Sequence, residues 1–87
     1  MSQSAQELLG QGMEHHGAGR LGQAETLYRL ILEQNPEDAE ALHWLGVVAL
    51  QCGKPTISVD LTRRSLKFAP GNAQTHSDMG NALITNG

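Results

Sequence analysis

The chain has 87 residues and a net charge of −3, and it contains ten glycines but only three aromatic residues. A chain of this length folds as one small domain, which excludes a multidomain enzyme. Six Lys and Arg residues against nine Asp and Glu residues leave no basic stripe for a phosphate backbone, so the composition argues against nucleic-acid binding.

The sequence carries no pattern typical of secretion or of a membrane span. Residues 1–7 lack the basic lead and apolar run of a signal peptide. The longest apolar stretch, residues 47–50, is far shorter than the roughly 20 residues that cross a bilayer. The single cysteine, Cys52, excludes an internal disulfide and favours a reducing compartment. We therefore expect a soluble, cytoplasmic protein without membrane contact.

An internal repeat with a period of 34 residues organises the chain. That offset aligns Ala5, Ala39 and Ala73; Gly12, Gly46 and Gly80; Gly19, Gly53 and Gly87; Leu8 and Leu42; and Pro36 and Pro70. The period predicts a leader over residues 1–4, repeats over 5–38 and 39–72, and the first helix of a third repeat, or a capping helix, over 73–87.

The first repeat is predicted to form a helical hairpin. Its helices span residues 5–18 and 22–34, and the glycine-rich segment 17–19 turns the chain between them. The second helix carries its apolar side chains at helical spacing, namely Leu27, Tyr28, Ile31 and Leu32.

The second repeat follows the same plan, with helices over 39–52 and 56–68. Gly53 ends the first of them and Pro55 suits the first turn of the second. The predicted apolar faces consist of Leu42, Leu45, Ala49 and a buried, unreactive Cys52 in one helix, and Ile57, Leu61 and Phe68 in the other. A fifth helix is expected over 73–86, and no stretch alternates like a strand. The fold class is therefore all-α.

The repeat resembles a known family. Leu8, Gly12, Ala24, Tyr28 and Pro36 of the first repeat stand where the tetratricopeptide repeat has its characteristic residues. This resemblance implies a right-handed α-solenoid of antiparallel helical hairpins over residues 5–87.

The second repeat departs from the family pattern at three interior positions. Ser58 and Ser65 stand where the family favours alanine, and Thr62 stands where it favours an aromatic residue. We expect these substitutions to leave the core between the helices of this repeat less tightly filled.

The resemblance also implies a concave groove lined by the first helix of each repeat. Carried over by register, its residues are Gln6, Leu9, Met13, His16, Glu40, His43, Trp44, Val47, Leu50, Gln74, Ser77, Asn81 and Ile84. Such a groove suits an amphipathic helix or an extended peptide, with Trp44 as the anchor. The alternative is that Trp44 and Leu50 only pack helix against helix.

Two ligand-binding devices of the family are absent. The carboxylate clamp that grips chaperone C-termini needs cations, but its places hold Leu9, Met13, Trp44, Gln74 and Asp78, so we expect no chaperone C-terminus to bind. The asparagine ladder of O-linked GlcNAc transferase arrays is replaced by Gly10, Trp44 and Asp78, although residues 78–83 are similar to repeats of those transferases.

No residue pattern indicates catalysis, a metal site or a cofactor. His15 and His16 are adjacent on one helix and point about 100° apart, while His43 and His76 lie on other helices. No zinc, calcium or phosphate-binding motif is complete. We therefore expect a chain that is not an enzyme and that uses no cofactor.

Three hypotheses of function follow. The first is a non-catalytic scaffold that binds a protein or peptide in its concave groove. The second is the N-terminal docking array of a larger bacterial enzyme, such as an O-GlcNAc transferase-like glycosyltransferase, cut at a turn. The third is a self-associating fragment that forms a homodimer through helix 73–86.

Overall fold

The computed structural model describes residues 4–69, which form four α-helices and no strand. The helices are α1 (Ala5–Gly17), α2 (Leu21–Gln34), α3 (Ala39–Gln51) and α4 (Pro55–Phe68). The four helices predicted in this range are confirmed to within one residue at each end. The predicted helix 73–86 lies outside the described residues.

Three of the four helices begin at a residue that local chemistry selects. The Ser4 hydroxyl oxygen accepts the backbone N–H of Glu7 at 3.2 Å, and the Asp38 carboxylate accepts that of Ala41 at 3.0 Å. Both side chains satisfy N–H groups that the first turn of a helix leaves unpaired. Pro55 opens α4, where its missing N–H removes no hydrogen bond.

The turns inside the two hairpins have the same geometry. Gly19 has φ +82° and Gly53 has φ +77°, a left-handed conformation that glycine adopts without strain. In each turn the residue after the glycine donates its N–H to the carbonyl five residues earlier, at 2.9 Å in both cases. Both predicted helix ends are confirmed. The two turns lie 34 residues apart, so the backbone conformation repeats with the same period as the sequence.

The hydrophobic core is continuous along the stack, because α1 packs on α2, α2 on α3 and α3 on α4. Helix α3 lies between two neighbours and is therefore buried on more than one side. The buried apolar side chains of this core are Leu8, Ala24, Tyr28, Ile31, Ala41, Leu42, Leu45, Val48, Ala49 and Leu61.

In the first hairpin, a glycine meets a large aromatic ring. Tyr28 is fully buried and its ring lies against Gly12. A Cβ on Gly12 would lie 2.9 Å from Cδ1 of Tyr28 and nearer still to Cε1. Gly12 therefore allows α1 to approach the Tyr28 ring of α2 closely.

In the second hairpin, hydroxyl groups join the helices, and the expectation of a loosely filled interface is wrong. Ser58, Thr62 and Ser65 are all buried. The Ser58 hydroxyl donates to the Gly46 carbonyl and the Ser65 hydroxyl to the Ala39 carbonyl, each at 2.7 Å. Small polar side chains replace aromatic packing with direct hydrogen bonds from α4 to α3.

Three apolar residues do not lie where the periodicity placed them. Cys52 is exposed, not buried, because α3 ends at Gln51 and Cys52 caps it as the backbone leaves the helix. Ile57 and Phe68 are 47% and 39% exposed, whereas Leu61 is buried. Only part of the predicted apolar side of α4 therefore packs on α3.

Candidate binding groove

Helices α1 and α3 meet through a cluster of rings. The His16 ring lies edge-on to Trp44 with centroids 5.9 Å apart and planes at 89°. On the same ring, His16 Nε2 forms a short hydrogen bond with Oε1 of Gln51, which lies two helical turns after Trp44. These contacts tie two helices of different repeats together and form the centre of their shared surface.

The buried hydroxyl of Tyr28, on α2, contacts the His16 ring and orients it. The two residues approach through Tyr28 Oη and His16 Nδ1 at 3.4 Å. Burial raises the pKa of Tyr28 to about 12, so its hydroxyl stays protonated at neutral pH and can donate. His16 Nδ1 then accepts, which leaves Nε2–H to donate to Gln51. The two contacts hold the ring beside Trp44.

A pocket of about 240 Å³ opens next to this cluster. It is lined by Met13, His16, Gly17, Trp44 and Val47, and we name it the tryptophan pocket. Met13 is 43% exposed at this pocket, and Trp44 is half-buried. An accessible, largely apolar recess of this kind can take a large apolar side chain.

A second pocket, of about 340 Å³, lies nearer the start of α1 and α3. This carboxylate pocket is lined by Ala5, Gln6, Leu9, Ile31, Asp38 and Glu40. Asp38 is committed to capping α3, while the exposed Glu40 forms no ion pair within residues 4–69. The pocket therefore combines an apolar wall with a carboxylate that can meet a ligand.

The predicted groove residues fall into three groups. Seven of them line the two pockets: Gln6, Leu9 and Glu40 in the carboxylate pocket, and Met13, His16, Trp44 and Val47 in the tryptophan pocket. His43 is only 3% exposed and packs edge-on against Trp44 at 4.8 Å, and Leu50 is half-buried outside both pockets. Gln74, Ser77, Asn81 and Ile84 lie outside the described residues.

Sequence reasoning missed the residues that hold His16. Tyr28 was assigned only to the core, and Gln51 was not considered. Gln51 follows Trp44 by seven residues, which is two helical turns, so the two share a face of α3. That spacing was the available signal for Gln51.

Neither a metal site nor a membrane-spanning helix is found among the described residues. Between residues 4 and 69, no three His, Cys, Asp or Glu side chains come together to hold a metal ion. None of the four helices is both long enough and apolar enough to cross a membrane.

Comparison with known proteins agrees with the repeat architecture. The family described as Tetratricopeptide repeat matches residues 27–59, from the middle of α2 into α4. No curated protein matches the chain at a significant level. Because the match crosses the expected boundary between residues 38 and 39, the division into repeats 5–38 and 39–72 stays a prediction.

Solved structures give a closer likeness. A mutant (K341M) of the O-GlcNAc transferase from Thermobaculum terrenum superposes on 97% of this chain with a TM-score of 0.91 and 30% sequence identity. This chain spans 17% of the length of that transferase chain. The likeness supports a helical solenoid of tetratricopeptide repeats.

Proposed function

The chain belongs to the tetratricopeptide repeat family, and from that premise we propose that it is a non-catalytic interaction module that binds a peptide or helix on the concave surface of α1 and α3. Repeats of this family generally mediate contacts between proteins. The groove residues predicted by register supply most of the lining of two open pockets on that surface.

The observation that carries this proposal is the tryptophan pocket. Folding buries most large apolar side chains, yet Met13 remains 43% exposed beside a half-buried Trp44. Exposed apolar surface next to an aromatic ring is typical of a binding site, where a few such anchors carry most of the affinity.

A pair of matched variants tests the proposal. The chain is immobilised and used to select binders from a phage-displayed library of random peptides, and the binders are titrated by the fluorescence of Trp44, the only tryptophan. Met13→Glu places a charge in the tryptophan pocket and should weaken binding at least about tenfold, since a buried unpaired charge costs several kcal/mol. Leu30→Glu is the control, because Leu30 is 39% exposed on α2 and lines neither pocket.

Circular dichroism must show that both variants keep the helicity of the parent. Equal binding by the parent and by Met13→Glu, with Leu30→Glu also unchanged, would refute the groove as the binding surface. Loss of binding in Leu30→Glu alone would place the site on the other face.

The second candidate is a docking array within a larger enzyme. It is favoured by the likeness to the O-GlcNAc transferase, of which a segment of this length is only 17%. The test is to sequence the gene on both sides of the region that encodes residues 1–87. A continuous reading frame that encodes a glycosyltransferase domain would support this candidate, and a frame without any further domain would contradict it.

Two further expectations stay predictions. The homodimer depends on helix 73–86, which lies outside the described residues, and sedimentation equilibrium across concentrations would detect it. The cytoplasmic location can be checked by fractionating cells that express the natural gene.

A further inference from the structure

Carboxylates are the only Asp, Glu, Lys or Arg side chains that line the two pockets of the groove. None of the residues that line them is Lys or Arg, whereas Asp38 and Glu40 both border the carboxylate pocket. The groove therefore presents negative charge without a cation of its own to neutralise it.

The whole chain segregates its charges in the same way. All six cations lie on α2, α4 or the N-caps of these helices: Arg20, Arg29, Lys54, Arg63, Arg64 and Lys67. Helices α1 and α3, with their caps, carry carboxylates but neither Lys nor Arg. A ligand on the α1 and α3 surface thus meets a negative potential, and one on the opposite surface does not.

Resting on the proposed peptide-binding function, we propose that the partner is a basic segment that pairs one large apolar side chain with one Lys or Arg. The apolar side chain enters the tryptophan pocket, and the cation enters the carboxylate pocket. Lys and Arg have an apolar stem and a charged end, which matches the wall of Ala5 and Leu9 and the carboxylate of Glu40.

The pocket positions also define the spacing of the two side chains. The midpoints of the two sets of lining residues are eight positions apart along α1 and six to seven along α3, which at 1.5 Å per residue is about 10–12 Å. An extended peptide covers that distance in about three or four residues. A helical partner covers it in about two turns. We expect an apolar and a basic residue at one of these spacings in any segment that binds.

The test compares the amino-acid composition of the phage-displayed peptides that the chain selects from the random library. Peptides selected on the parent chain, and lost on the Met13→Glu variant, should be enriched in Lys or Arg at these spacings from a large apolar residue. Their affinity should fall by several-fold between about 0.05 M and about 0.5 M NaCl, since salt screens an exposed charge contact.

Two variants with the same change of charge locate the contact. Glu40→Gln should weaken the selected peptides about two- to fivefold, the range for one exposed ion pair. Glu33→Gln removes an equally exposed carboxylate from α2, outside both pockets, and should change affinity little.

The outcomes separate this inference from the function on which it rests. If peptides depend on Met13 but are acidic or neutral, or bind Glu40→Gln as tightly as the parent, the basic partner is wrong and the groove stands. If no selected peptide depends on Met13, both proposals are overturned.

Discussion

The two hairpins of this chain have one backbone plan but two kinds of interface. At equivalent positions, 34 residues apart, Ala24, Tyr28 and Ile31 fill the first hairpin, whereas Ser58, Thr62 and Ser65 fill the second. All six side chains are buried, so both solutions exclude water from the helix contact. The first relies on apolar volume and the second on hydrogen bonds, which shows that the repeat fixes helix placement more strictly than side-chain chemistry.

The comparison has a consequence for function. Tyr28 belongs to the first interface and also reaches His16, at the centre of the groove. Thr62 instead donates its hydroxyl to carbonyls of its own helix, those of Ser58 and Val59. The aromatic interface is therefore coupled to the candidate site, and the hydroxyl interface is not.

The largest expected difference comes from truncating the equivalent residues Tyr28 and Thr62. Tyr28→Ala removes a fully buried ring and should lower the free energy of unfolding by about 3–5 kcal/mol. Thr62→Ala removes one methyl group and one hydroxyl, and about 1–2 kcal/mol is expected. Urea denaturation followed by circular dichroism measures both, and equal losses would contradict the distinction between the interfaces.

Glycine substitutions in α1 test the close approach in the first hairpin. Gly12→Ala drives a Cβ into the Tyr28 ring and should cost about 1–3 kcal/mol, as overpacking does. Gly10→Ala in the same helix meets nothing within 4 Å and should instead stabilise by up to about 1 kcal/mol, because alanine favours helix. Opposite signs in thermal melts are predicted, and a Gly12→Ala variant as stable as the parent, or more stable, would show that Gly12 is not a packing residue.

A single hydroxyl deletion tests the second interface. Ser65→Ala removes the 2.7 Å hydrogen bond to the Ala39 carbonyl and should cost about 1 kcal/mol. The control is Ser4→Ala, which removes the hydroxyl at the α1 N-cap and should affect α1 instead. Ser77→Ala does not serve as a control, because Ser77 lies outside the described residues. Amide hydrogen exchange should show faster exchange near the start of α3 in Ser65→Ala only. Unchanged exchange there would mean that the hydroxyl does not secure α3.

The remaining effect appears only at alkaline pH and is confined to the first hairpin. Burial raises the pKa of Tyr28 from 10.0 to about 12, so the folded state holds this proton more tightly than the unfolded state does. Its contribution to stability is complete below pH 10 and declines as the pH rises toward 12. Tyr28→Phe should lack this part of the decline, and the absorbance of the single tyrosine reports its ionisation directly. An ionisation midpoint near 10 in the folded chain would contradict the assignment.

The helices and turns could be predicted because their signals are local. Gly19 and Gly53 adopt positive φ, and Pro55 fits a first helical turn. Each of these residue types indicates a helix end or a helix start by itself, without knowledge of any distant contact. The repeat period then placed the hairpins in order.

The contacts that define the site could not be predicted in the same way. His16 and Gln51 are 35 positions apart and meet only because α1 and α3 pack side by side. His43 is buried on α3, which packs on both α2 and α4, and Cys52 is exposed because α3 ends one residue earlier than predicted. Each of these outcomes depends on a neighbouring helix or on a helix end, which periodicity within one helix does not specify.

The most direct test of the groove is an NMR titration of the ¹⁵N-labelled chain with a peptide selected from the random library. The account predicts that the largest shift changes fall on α1 and α3, including the amides of Met13 and His16 and the indole N–H of Trp44. Shift changes concentrated instead on α2 and α4, around Leu30 and Arg64, would contradict it.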